Sequence, residues 1–88
     1  MKRFLIIDDH EIVKAGLATL LENEFPDAVI HYAADRGSAL QKINDYEHHL
    51  VVLDVNIPGA DTCKLLSEIL KITPATAVLI FSMNTEMI

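Results

Sequence analysis

Eighty-eight residues, 51% of them apolar, make at most one domain, because a chain this short buries only about 60% of its unfolded surface; the apolar content excludes intrinsic disorder. A net charge of −6 repels polyphosphate backbones and excludes a nucleic-acid grip by counterion release, so any DNA contact belongs to other residues. The longest apolar runs, Phe4–Ile7, Leu50–Leu53 and Ala77–Phe81, fall far short of the ~20 residues that span a bilayer, and Asp8-Asp9 interrupt the first before a signal-peptide core of roughly 7–15 residues can form. A cytoplasmic protein with no membrane association is expected.

In chain order, Phe4–Ile7 is the first strand: a short apolar run bounded by polar residues, the pattern of a strand buried on both faces of a parallel sheet. Val13, Leu17, Leu20 and Leu21 follow at i, i+4, i+7 and i+8, the stripe of an amphipathic helix. The Phe25-Pro26-Asp27 turn signal leads into a strand over Val29–Ala33, and His31 within it suggests a sheet edge. Ser38 to Asn44 forms a short helix with Ala39, Leu40 and Ile43 on one side. Leu50–Leu53 is the third strand. Leu65, Leu66, Ile69 and Leu70 mark a third helix, for which Asp61 is the natural N-cap. Ala77–Phe81 is the last strand. No linker, low-complexity stretch or internal repeat interrupts the series. The single cysteine, Cys63, has no partner for a disulfide and is expected to be a small buried hydrophobe. His48 and His49 point apart if extended, a poor arrangement for a metal, and are expected to be solvated loop residues.

The alternation β-α-β-α-β-α-β gives an α/β fold with a doubly wound parallel sheet, right-handed crossovers and helices on both faces. Ligands of such sheets sit beyond the carboxyl ends of the strands, which here carry Asp8 and Asp9, then Asp54, then Ser82. Neighbouring strands are about 4.8 Å apart, and two like charges ~5 Å apart repel by roughly 3 kcal/mol at an effective dielectric near 20. A hard cation relieves that repulsion, and Mg²⁺ favours one or two carboxylates with waters and a phosphate oxygen. Phosphoryl chemistry is implied, with a carboxylate able to form an aspartyl phosphate. Taken singly, Asp8 or Asp9 reads more readily as a helix cap. Capping does not account for two adjacent acids plus a third on another strand, and Val55-Asn56-Ile57-Pro58-Gly59 separates Asp54 from the next helix. His10 reads as a polar first-turn residue beside the acids, its charge favouring their ionised form.

Three stretches, Phe4-Leu5-Ile6-Ile7-Asp8-Asp9-His10, Val52-Leu53-Asp54-Val55-Asn56-Ile57-Pro58-Gly59 and Leu79-Ile80-Phe81-Ser82, resemble response-regulator receiver domains over nearly the whole chain. Asp8-Asp9-His10-Glu11-Ile12-Val13-Lys14-Ala15-Gly16-Leu17 is most similar to the NarL/FixJ subfamily, whose members usually carry a C-terminal LuxR-type helix-turn-helix. The resemblance implies a flavodoxin-like sheet of order 2-1-3-4 and assigns the roles. Asp54 is the phosphoacceptor. Asp9 is a direct Mg²⁺ ligand, Asp8 an outer one, and the backbone carbonyl of Asn56 a third contact. Ser82 is the switch hydroxyl, and Pro58-Gly59 shape the loop. Thr62 departs from the glycine often found there.

Receivers also use a lysine at the end of a fifth strand and an aromatic switch residue on that strand. Neither falls within residues 1–88, and Lys2, Lys14, Lys42, Lys64 and Lys71 lie at strand starts or on helices. The expectation is a partial receiver domain whose fifth strand, last helices and any helix-turn-helix output domain are absent, with Ala77–Phe81 as an apolar edge open to a homodimer or a strand-paired oligomer. Its partner is a sensor histidine kinase; DNA is reached only through the missing C-terminal domain. The chain is a phosphoacceptor and not an enzyme, at most catalysing its own phosphorylation and dephosphorylation. Three other readings compete. An aspartate-nucleophile, Mg²⁺-dependent phosphatase-like enzyme calls for Asp-x-Asp and not Asp8-Asp9. A flavodoxin-like cofactor binder lacks its phosphate loop, and two acids there repel the cofactor phosphate. A phosphorylation-independent pseudo-receiver acts purely by interaction.

Overall fold

The structure, a computed structural model, describes residues 1–57 and 59–82. Its elements are β1 (Arg3–Ile7), α1 (Glu11–Glu24), β2 (Val29–Ala33), α2 (Arg36–Asp45), β3 (Leu50–Asp54), α3 (Thr62–Ile72) and β4 (Ala77–Phe81). All four strands are parallel in the order β2-β1-β3-β4, as expected. β2, with His31, is an edge strand.

Alternation along the strands divides the core. Leu5, Ile7, Val51 and Leu53 face α2 and α3, packing with Ala39, Ile43, Leu65 and Ile69; Ile6 and Val52 face Ala18 of α1. Leu5, Ile6, Ile7, Val51 and Leu53 are all inaccessible to solvent, consistent with strands covered on both sides. β4 is the least protected: Leu79 is 54% exposed on the α1 side and Ile80 43% exposed on the other.

Helix ends follow from local chemistry. α2 begins two residues before the expected Ser38 because Asp35 accepts from the Ser38 N–H and the Ser38 hydroxyl bonds back to the Asp35 N–H, a reciprocal capping box. Asp61 caps α3 by accepting from the Lys64 N–H. Three apolar assignments need correction. Leu20 is 65% exposed: the inward arc of α1 is centred on Ala18 with Leu17 and Leu21 beside it, and two residues turn the helix by about 200°. Leu70 lies one position past buried Ile69, at the margin of its stripe, and is exposed. Cys63, two positions before inward-facing Leu65, is exposed instead of buried.

Of the two histidines before β3, His49 is exposed as expected and His48 departs from expectation. His48 is buried, not solvated. Its Nε2 lies 3.0 Å from Nδ1 of His31 on β2, and its carbonyl accepts from the Thr76 hydroxyl at 2.8 Å. His49 is held as well, its Nδ1 accepting from the Arg3 N–H at 3.0 Å. Adjacent side chains do diverge, but here each meets a different strand. Since Thr76 ties this loop to the start of β4, Thr76→Val is expected to destabilise the protein by about 1–2 kcal/mol, the cost of leaving a buried carbonyl unpaired. Urea unfolding measures it.

Candidate functional site at the carboxyl ends of β1 and β3

β1 and β3 are neighbours in register, Ile7 opposite Leu53, so the next residue on each, Asp8 and Asp54, emerges at the same height. Asp54 is the last residue of β3 and not the first after it. Asp8 continues the ladder, its N–H donating to the Ala33 carbonyl at 2.9 Å. Both acids are buried, at 0% and 2% exposure, while Asp9 is exposed.

Asp8, Asp9, His10 and Asp54 each offer a ligand atom within 4.8 Å of the others. Nδ1 of His10 lies 2.8 Å from Asp8 Oδ1, 3.1 Å from Asp9 Oδ1 and 3.7 Å from Asp54 Oδ2. His10 is the N-cap of α1 and makes no side-chain capping bond; its backbone N–H instead donates to Asp8 Oδ1. The hydrogen bond to Asp8 and the nearby charge of Asp9 push its pKa above the ordinary histidine value. The sequence reading put His10 beside the acids; that it gathers all three around one imidazole was not visible there. Nor do Asp8 and Asp9 cap α1.

Asp8 Oδ2 is buried and, among the described residues, has no hydrogen-bond partner. A carboxylate oxygen without a partner is costly out of water, and the three hard oxygen donors of Asp8, Asp9 and Asp54 together suit a hard divalent cation. The donor set therefore fits Mg²⁺.

Beyond β3 the chain turns away from the sheet. The Val55 N–H donates to the Phe81 carbonyl at 3.0 Å, and the Asn56 N–H donates to Asp54 Oδ1 at 2.9 Å. The Asn56 side chain reaches the Ser82 hydroxyl at 3.5 Å, placing exposed Ser82 beside the same loop. Gly59 has φ of 71°, in the left-handed region that glycine enters without strain; Pro58 lies outside the described residues. Every lysine sits before β1 or on a helix, so none reaches the acids from a strand end.

The sequence matches the response regulator receiver domain over residues 4–88. It is 33% identical over 84 residues to a protein-glutamate methylesterase/protein-glutamine glutaminase of Caldanaerobacter subterraneus, covering 96% of this chain and 23% of that protein. Among solved structures, a LuxR-family two-component response regulator from an Aurantimonas species is 31% identical with a TM-score of 0.80, over 94% of this chain and 59% of that one. A response regulator from Burkholderia pseudomallei shares the fold at a TM-score of 0.83 and 22% identity, over 93% and 47% of the two chains. The chain spans 23 to 39% of the length of the first curated relatives it matches. The likeness to a LuxR-family regulator agrees with the NarL/FixJ character of Asp8–Leu17, and the match from residue 4 to residue 88 means that the chain belongs to the response regulator receiver domain family.

Proposed function

We propose that this receiver accepts a phosphoryl group on Asp54 from a sensor histidine kinase, with Mg²⁺ held by Asp8, Asp9, Asp54 and the backbone carbonyl of Asn56. The observation that carries the reading is the convergence of three carboxylates, one with a buried, unpartnered oxygen, on two adjacent strand ends. In the transfer, a carboxylate oxygen of Asp54 attacks phosphorus, the P–N bond to the donor histidine breaks as the O–P bond forms, and the released nitrogen keeps its electron pair. Mg²⁺ would supply neutralisation of charge on the transferring group.

This chain's own groups define the rest. Asn56 fixes one oxygen of Asp54 through its N–H, which leaves Oδ2 facing the His10 imidazole that also contacts Asp8 and Asp9. Ser82, a small hydroxyl donor across from Asn56, is positioned to turn toward an added anion and carry the change to the end of β4. The module is a regulatory phosphoacceptor in the cytoplasm; among the described residues no helix is long and apolar enough to cross a membrane. In the longer protein it controls a DNA-binding output domain, as the LuxR-family likeness supports.

Incubation with a small phosphodonor is expected to give one phosphate adduct by intact mass in Mg²⁺ and none in chelator, with the modified carboxylate mapped to Asp54 after reductive trapping. An adduct on another residue, or none in Mg²⁺, would overturn the phosphoacceptor reading, and the latter result would favour a pseudo-receiver acting by interaction alone.

A further inference from the structure

Thr62 is the first residue of α3, eight positions beyond the phosphoacceptor, and its hydroxyl donates to the Val55 carbonyl at 2.7 Å. That carbonyl shares a peptide group with the Asn56 N–H, which donates to Asp54 Oδ1 at 2.9 Å. A peptide unit is planar and stiff, so the two bonds act on opposite edges of one plate. We infer that Thr62 is a positioning residue for phosphoryl transfer: through the Val55–Asn56 peptide its hydroxyl sets the orientation of the Asp54 carboxylate, with Oδ1 held by Asn56 and Oδ2 directed to the acidic cluster.

Both ends of the lever are anchored. α3 is fixed by Leu65 and Ile69, which are fully buried, and by the Asp61 cap, so the hydroxyl projects from a rigid helix start. Val55 is held on its other side by its N–H bond to Phe81. Between them the loop is closed by buried Ile57, whose carbonyl accepts from the Ala60 N–H at 3.3 Å. Without the Thr62 hydroxyl, the Val55 carbonyl loses its described partner and the plate can rotate, taking with it the donor that orients Asp54. Hydrogen bonds in series also polarise one another, so a carbonyl that accepts from Thr62 makes the Asn56 N–H a better donor.

The inference rests on Asp54 being the acceptor, and two readouts separate the one from the other. Thr62→Val removes the hydroxyl at nearly constant volume; Thr62→Ser keeps it. With a small phosphodonor in Mg²⁺, Thr62→Val is expected to lower the saturating phosphorylation rate about five-fold, the scale of one hydrogen bond, with the donor concentration at half-saturation unchanged. Thr62→Ser should return to within about two-fold of the parent. Independently of phosphate, the Asn56 amide proton in an NMR spectrum should move upfield in Thr62→Val and return in Thr62→Ser, while amides of β1 and β2 stay in place. A parent that takes no phosphate defeats the acceptor reading and with it the kinetic role of Thr62, whereas the Asn56 shift still reports on the lever. Equal rates and equal Asn56 shifts in parent and Thr62→Val overturn the inference alone. A uniform shift of all amides, with the rate loss shared by Thr62→Ser, would assign Thr62 a merely structural role and overturn it as well.

Discussion

Asp8→Asn is expected to make the metal-free protein more stable by about 1–2 kcal/mol while removing most of the stabilisation that Mg²⁺ gives the parent chain. Asp8 is fully buried, shares a site with Asp9 and Asp54, and has one oxygen without a partner. Like charges ~5 Å apart repel by roughly 3 kcal/mol at an effective dielectric near 20, and the imidazole of His10, exposed on one side, offsets only part of that. Asparagine keeps an oxygen for the His10 N–H, removes the charge, and supplies an amide donor toward the remaining carboxylates. A cation that binds the native state alone stabilises it by RT ln(1 + [L]/Kd), about 1.4 kcal/mol for each tenfold excess over Kd. Losing a carboxylate from a three-acid site should weaken Mg²⁺ at least tenfold, so the urea midpoint of the variant should hardly respond to Mg²⁺ where that of the parent rises. Asp54→Asn should share the metal-free gain and in addition take up no phosphate. Parent and Asp8→Asn curves that shift equally with Mg²⁺ would remove Asp8 from the metal site. Destabilisation of the metal-free variant would show that the His10–Asp8 pairing outweighs the repulsion. A functional site that costs stability is the usual direction of this trade-off.

The α/β order, the parallel topology and the three acids were all readable from the chain, because each depends on signals local to a few residues. Apolar runs such as Leu50–Leu53 identify a strand without reference to its neighbours, and strand-end position follows once the runs are placed. Long-range pairings were not readable in this way. The burial of His48 depends on His31, seventeen positions earlier, and on Thr76, twenty-eight later, so its local context of polar residues pointed to solvent. Leu20 and Leu70 were misjudged because a stripe on a helical wheel fixes its period but leaves its centre to whichever residues meet the sheet, here Ala18 on α1 and Leu65 and Ile69 on α3; Cys63 was misjudged because its expected burial came from residue type alone. His10 falls between the two cases: its neighbours in sequence are the acids it contacts, yet only the adjacency of β1 and β3 brings Asp54 to the same imidazole. The Thr62 bond to Val55 could have been suspected from a hydroxyl at a helix start eight residues past a strand end, but nothing in that spacing selects Val55 over the other loop carbonyls.

The second large effect concerns acid stability and lies at the far end of the sheet from the acids. His48 packs edge-on against His31 of β2, their ring centroids 5.1 Å apart, and His31 in turn lies 4.6 Å from the ring of Tyr46 at the end of α2. Arg3 of β1 and Lys42 of α2 stack on the same Tyr46 ring. Burial, then the charge of His31, then those of Arg3 and Lys42 lower the His48 pKa to about 4, and His31 is shifted in the same direction, chiefly by burial. A histidine whose folded pKa lies below its unfolded value of 6.5 binds fewer protons in the native state. Its stabilising contribution is therefore complete above about pH 6.5 and is lost as pH falls from there toward 4. At 1.36 kcal/mol per unit the loss is on the order of 3 kcal/mol, a large share of the stability of so small a domain. His10, whose pKa is raised, works oppositely: its contribution is present below about 6.5 and fades as pH rises through its higher folded value. Comparing the parent with His48→Gln cancels that term and the carboxylates together. The difference in unfolding free energy between the two proteins should shift in favour of His48→Gln as pH drops from 7 to 4.5, with little change above 7. Parallel curves across that range would mean that protonated His48 finds water or an anion without unfolding the loop, and that the His31–His48 contact opens locally instead.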